Sequence, residues 1–201
     1  IDPAANNDGE IVWSLDAPLS FGDLGGLEAA TIRVTDGGGS RGAGAQSVVA
    51  DFSVLANGQN TSFQIASGIV SFGTISASSA TAFASAAVTL VDTLGDGATL
   101  TPGANGGYNA LLNNGAVIFD DLFAAGSPLS VAPGVGAGNF SEDTGSFLPT
   151  GIDVSSISAE WDFSLSSFDS ATGTSTFTIV PAPASAALIG LGGLAATRRR
   201  R

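Results

Sequence analysis

A chain of 201 residues with 44% apolar side chains and 28 glycines suffices for one large or two small domains with a sizeable core. It has no Cys, His, Met or Lys, which excludes a disulfide framework, thiolate or imidazole metal sites, a histidine base for a serine triad, a Schiff-base lysine and a P-loop. Charge is segregated: all 18 Asp and Glu precede Pro181 and four of the six Arg follow it, so the body is far more acidic than the net −12 and repels nucleic acid and anionic lipid.

Such a body tolerates divalent cations or cationic partners, although acidity alone also serves solubility. The chain contains no Met, so Ile1 is not an initiator; a removed leader or a longer parent chain is expected, and no signal-peptide pattern precedes "IDPAANNDGE".

In chain order, period-two alternation predicts strands throughout residues 1–180. The first is "IVWSLD", in which Trp13 shares a face with Ile11 and Leu15 and reads as core. The second is "TIRVTD", with Ile32 and Val34 on one face and Thr31, Arg33 and Thr35 on the other. After the loop-like 37–46, "VVADFSVLANGQNTSFQIA" predicts a hairpin at Asn57-Gly58, because a type I′ turn needs two residues with positive φ. That register pairs Val54 with Thr61, Phe52 with Phe63 and Ala50 with Ile65.

Strands follow in "SGIVSFGTI" and "ATAFASAAVTLVD", with a less tidy hairpin at Asp96-Gly97 that sets Leu94 opposite Thr99. "YNALLNNGAVIFDDLF" predicts a hairpin at Asn114-Gly115 that pairs Leu112 with Val117 and Ala110 with Phe119. Residues 132–146 read as a loop. In "AEWDFSLS", Ala159, Trp161, Phe163 and Leu165 alternate with Glu160, Asp162, Ser164 and Ser166, and "STFTIV" closes the series. About eight to ten strands with Gly-rich turns predict an all-β fold: one antiparallel β-sandwich or jelly-roll-like domain over 1–180.

The residues left for catalysis are carboxylates. Glu160 and Asp162 share a strand face about 7 Å apart, a spacing open to glycosidase chemistry, but the same alternation makes them a solvent face. Asp120 and Asp121 are adjacent on a strand and point to opposite faces, so they cannot act together. No enzyme is expected. A structural Ca²⁺ needs only oxygen ligands, and Asp92, Asp96, Asp120, Asp121, Glu142 and Asp143 lie in or near turns, with no EF-hand spacing and no ligand set defined. A carbohydrate site would use aromatics: Trp13 and Trp161 read as core, and Tyr108, after the "GANGG" loop, is the least constrained.

The C-terminus needs its own explanation. Val180, Pro181, Ala182 and Pro183 are followed by a small-residue apolar run over 184–197 and then by Arg198, Arg199, Arg200 and Arg201. The strongly apolar part is shorter than the ~20 residues of a comfortable membrane span. Gly190, Gly192 and Gly193 weaken it as a helix, and the arginines favour the cytoplasmic side. These features describe a short hydrophobic helix acting as a transient anchor; an ordinary C-terminal anchor is the alternative.

The order of Val-Pro-x-Pro motif, apolar helix and terminal arginine cluster resembles a PEP-CTERM sorting signal over residues 181–201, with Ala182 where the usual motif has Glu. The resemblance implies an exported bacterial envelope protein, held briefly in the inner membrane by 184–197 and cut near the Pro-x-Pro motif by an exosortase. It also implies a destination at the cell surface or in an exopolysaccharide-rich biofilm matrix. The other reading is a carbohydrate-binding jelly roll, with or without structural calcium.

Overall fold

The computed structural model describes residues 4–5, 10–36 and 44–181. In chain order the strands are β1 (Ala4–Ala5), β2 (Glu10–Ser14), β3 (Leu19–Ser20), β4 (Gly25–Asp36), β5 (Gln46–Ala56), β6 (Thr61–Ala66), β7 (Val70–Ile75), β8 (Ala80–Val91), β9 (Ala98–Pro102), β10 (Tyr108–Leu112), β11 (Val117–Leu122), β12 (Leu129–Val131), β13 (Ala137–Asp143), β14 (Leu148–Pro149), β15 (Val154–Leu165) and β16 (Ser170–Pro181). They form two antiparallel sheets that pack as a β-sandwich. The first runs β1-β2-β4-β5-β16-β8-β13, with β3 beside β4 and β14 beside β8. The second is organised around β15, which pairs with β10 and β9 along one edge and with β6 and β7 along the other.

Alternation decides what faces inward. Along β5 every second residue from Gln46 to Ala56 is buried, and β8 buries Ala80, Ala82, Ala84, Ala86, Val88 and Leu90. The second sheet fills the space above these small residues with rings. Trp161 is fully buried, 5.1 Å from Phe52, 5.2 Å from Tyr108 and 5.9 Å from Phe123 between ring centroids. Each ring of this size contributes about 1.5–3 kcal/mol by leaving water. Gly173 lies opposite Phe52 in the β5–β16 ladder, and a Cβ there would meet the Phe52 ring at 2.3 Å, so glycine leaves the seat that the ring occupies.

The sequence-predicted turns fare unequally. At Asn114-Gly115 the residues adopt φ 60° and 77°, Ala116 N–H donates to the Asn113 carbonyl at 3.2 Å, and Leu112 pairs with Val117 as expected. A register shift after Leu111 then pairs Ala110 with Asp120 instead of Phe119, and Phe119 stacks on Phe177 at 5.6 Å.

The other two hairpins do not form. β5 lies in the first sheet and β6 in the second, so Phe52 and Phe63 are not cross-strand partners; each packs on Phe163, at 5.5 and 5.7 Å. Asn57 and Gly58 do not adopt the positive φ of a type I′ turn. β5 is instead paired along both edges by β4 and β16, and those long ladders outweigh the short one that β6 could offer. β8 and β9 likewise cross between sheets at Asp96-Gly97. Within the segment read as a loop, Ala137–Asp143 forms β13, an edge strand on β8 whose glycine and polar content hid its alternation.

Candidate functional site

Three crossings between the sheets gather at one end of the sandwich: β5 to β6, β8 to β9, and β15 to β16. Phe168 N–H donates to the Asn57 carbonyl at 2.9 Å, and Ala56 N–H donates to the Asp169 carbonyl at 2.9 Å. The ladder places Ser170 opposite Val91, which brings Asp169 beside Asp92. Phe168 takes a left-handed conformation, φ 64°, as the chain turns into Asp169.

The carboxylates of Asp92, Asp96 and Asp169 meet here, each offering an oxygen within 4.8 Å of the others. Asp92 is 6% exposed and Asp169 fully buried, whereas Asp96 is open to solvent. Asp92 folds its own loop: Oδ1 accepts from Gly95 N–H at 2.7 Å and Oδ2 from Gly97 N–H at 3.0 Å. Asp169 accepts from the Ser166 hydroxyl and from Thr93 N–H. Burial raises the Asp169 pKa above the ordinary carboxylate value and repulsion from Asp92 and Asp96 adds to it, while the bonds from Ser166 and Thr93 oppose the rise. The group could hold a metal ion, and an all-oxygen donor set suits a hard cation. Sequence reading found Asp92 and Asp96 but missed Asp169, because no local spacing connects it to the other two; only the β8–β16 register does.

The other acidic candidates lie elsewhere. Asp120 and Asp121 stand opposite Ala110 and Asn109 in the β10–β11 ladder. Asp120 has a raised pKa, chiefly through burial and then through the neighbouring Asp121 and Glu142 charges, opposed by a bond from Asp121 N–H. Glu142 accepts from Phe123 N–H and so ties the edge of the first sheet to the second. Asp143 accepts from Gly145 N–H at 2.6 Å within its own turn. Glu160 and Asp162 share the outer face of β15, where both are half-buried and Gln64 Nε2 donates to Glu160 at 2.5 Å.

The aromatics offer little to a sugar. Tyr108, expected to be the freest, is fully buried against Trp161; burial pushes its phenol well above the ordinary value, opposed by the Ser175 hydroxyl. Its alternation with Ala110 and Leu112 was the available signal. Trp161 is core as expected, its Nε1 donating to Ser175 Oγ at 3.0 Å. Trp13 is half-buried beside a cavity of about 230 Å³ shared with Leu15, Leu27 and Ile65, while Ile11 is exposed.

Sequence reading also missed a trough of about 580 Å³ across the outer face of the first sheet. Thr31, Asp51, Thr89, Asn139 and Thr174 line it. Arg33, the one basic side chain among the described residues, pairs with Asp51 at 2.7 Å. Thr174 donates to Asp51 at 2.6 Å and Thr89 to Asn139 at 2.7 Å.

Val180 and Pro181 close β16, opposite Thr81 and Ala80. Ala182, Pro183, the expected C-terminal helix over 184–197 and the cluster Arg198–Arg201 lie outside the described residues. Among the described residues, no helix is long and apolar enough to cross a membrane.

No protein-family model and no curated protein matches the chain. Among solved structures, the chain is similar to that of infectious bursal disease virus Gx strain at 12% identity, covering 89% of this chain and 52% of that one, with a TM-score of 0.25. It is similar to that of the Gt strain at 11% identity, covering 77% and 48%, with a TM-score of 0.23. The chain thus spans about half the length of the solved chains it matches.

Proposed function

We propose that the chain is a non-enzymatic, exported surface or matrix protein, delivered by a PEP-CTERM-type signal and processed by an exosortase near Pro181–Pro183. On this reading 184–197 anchors it transiently in the inner membrane, and the acidic sandwich then joins an exopolysaccharide-rich matrix. The observation that carries the reading is the order of Val180-Pro181-Ala182-Pro183, apolar run and Arg198–Arg201. It is supported by the position of Pro181 at the end of β16: a cut beyond it leaves every described strand intact. The test is the intact mass of the mature protein from its native cell. Loss of the four arginines is expected, and a mass that retains them overturns the reading.

In this setting the Asp92–Asp96–Asp169 group holds a structural Ca²⁺, which supplies the positive charge that three converging carboxylates lack. Ca²⁺ at a hundredfold excess over its Kd stabilises by about 2.7 kcal/mol, or a Tm rise of about 5–10 °C for a domain of this size. Calorimetry in Ca²⁺ and in EDTA measures it, and equal Tm values in the two sinks the calcium assignment.

The trough on the first sheet favours a second reading, a carbohydrate-binding module of jelly-roll type, since its Ser, Thr and Asn groups can bond sugar hydroxyls. A glycan array probed with the protein, with and without EDTA, separates the two: specific binding selects the module, and its absence leaves the matrix role.

A further inference from the structure

We propose that the end of the sandwich that holds the Asp92–Asp96–Asp169 group also carries a sugar site, built from Asp23, Asn57, Gln59 and Phe168, for a pyranose that bears a protonated amine. This site rests on the carbohydrate-binding reading of the chain but is separate from the trough. The observation that points to a ligand is an inversion of polarity. Of two successive residues, Asp169 is fully buried and Phe168 is 46% exposed, so the chain turns the carboxyl in and the ring out. Phe168 does this at φ 64°, a left-handed conformation that suits glycine and that bulky residues rarely adopt. An apolar ring held outward by a strained backbone is an outlier of the kind that functional sites keep.

The ring borders a pocket of about 440 Å³ that it lines together with Asp23, Asn57, Gly58 and Gln59. That volume suits a small ligand. A Cβ on Gly58 would lie 3.5 Å from the Phe168 Cζ, so the tip of the ring rests over the crossing from β5 to β6.

Asn57 holds the walls together. Its carbonyl accepts from Phe168 N–H at 2.9 Å, its N–H donates to the Leu24 carbonyl at 3.2 Å, and its Nδ2 donates to the Gly22 carbonyl at 2.9 Å. It therefore joins the turn that presents the ring to the short 3-10 turn Gly22–Leu24, which carries Asp23. With these bonds made, the Asp23 carboxylate, Asn57 Oδ1 and the Gln59 side-chain amide have no hydrogen-bond partner among the described residues and are left to a ligand. Arg33, which could neutralise a carboxylate, is engaged with Asp51 on the first sheet.

An aromatic face beside a few convergent polar groups suits a sugar ring, which packs its C–H face on the aromatic and bonds its hydroxyls to the amides. The unpaired carboxylate adds a preference. Its bond to an ammonium is charge-assisted and stronger than a neutral one, and the face of Phe168 attracts a cation too. The acidic body repels a uronic acid and draws a cationic sugar. A glucosamine unit meets these demands: its equatorial hydroxyls leave a flat C–H face for Phe168, and its amine matches Asp23.

The full chain is titrated calorimetrically, at mildly acid pH and physiological salt, with β-1,4-linked trisaccharides of glucosamine, of glucose and of N-acetylglucosamine. These differ only at C2, which carries an ammonium, a hydroxyl or an acetamide. The glucosamine sugar is expected to bind about tenfold more tightly than the other two, the difference a hydrogen bond between charged groups makes. Asp23→Asn is expected to abolish that preference. Asp16→Asn, at an exposed carboxylate outside the pocket, is expected to leave it unchanged.

Phe168→Gly keeps the test independent of folding defects, because glycine suits φ 64° and the melting temperature should not fall. It is expected to weaken glucosamine binding about three- to tenfold, and Phe168→Tyr to retain it. Equal affinity for the three sugars, a preference that survives Asp23→Asn, or an affinity that Phe168→Gly does not lower overturns the proposal. Sugar binding that survives both variants leaves the carbohydrate reading standing with the sugar in the trough, whereas no binding by the wild type, here and on the glycan array, removes both.

Discussion

The inward row of β8 in the first sheet begins with four alanines, Ala80, Ala82, Ala84 and Ala86, before Val88 and Leu90, whereas β15 in the second presents Trp161, Phe163 and Leu165 to the same core. The first sheet is also built from long, continuously paired strands, while the second assembles short strands on either side of one long one. Bulk and regularity are thus divided between the layers. Long strands that pair over many residues form a continuous floor, and rings from both layers fill a gap of about 10 Å between sheets.

Replacing the largest ring tests that division most severely. Trp161→Ala is expected to cost about 3–5 kcal/mol in denaturant unfolding, because the Phe52, Tyr108 and Phe123 rings around it are fixed by their own backbone segments and cannot close the cavity. A loss under about 1 kcal/mol would mean that the first sheet collapses onto the gap and is not a rigid socket.

The reverse change comes next. Gly173→Ala puts a methyl into the seat of Phe52, and overpacking of this kind costs about 1–3 kcal/mol. Pairing it with Phe52→Leu should return part of that loss, and strict additivity of the two would show that they do not compete for space.

Outside the core, Gly115→Ala at φ 77° should cost about 1–2 kcal/mol and leave both sheets intact. A larger loss, with disrupted near-ultraviolet dichroism, would make the hairpin a nucleus and not an appendage.

The smallest effect is in pH. The folded pKa of Asp169 is raised, so in metal-free protein its ionised form works against folding at neutral pH. That penalty is relieved as pH falls through the raised value toward the ordinary carboxylate range. Wild type in EDTA should therefore gain stability relative to Asp169→Asn on mild acidification, and parallel pH profiles of the two would refute the linkage.

Strand content was legible because alternation is a local property: Trp161, Phe163 and Leu165 face inward for reasons visible in eight letters. Pairing was legible only where the turn chemistry had no competitor. Asn114-Gly115 closed its hairpin, but Asn57-Gly58, with a matching dipeptide, lost to the longer ladders that β4 and β16 make with β5. The sites were less legible still. Asp92 and Asp96 stand four apart in one turn, but Asp169 joins them through the Ser170–Val91 register.

The order of the strands has a consequence for how the molecule comes into being. β15 organises the second sheet and β16 lies between β5 and β8 in the first, so the strands that both layers need most are the last two among the described residues. A chain emerging from its N-terminus has no completed sheet to close until residues 154–181 arrive. Folding must wait for nearly the whole body, with pairings of high contact order that form slowly. Truncation within β16 should yield an unfolded chain rather than a smaller sandwich.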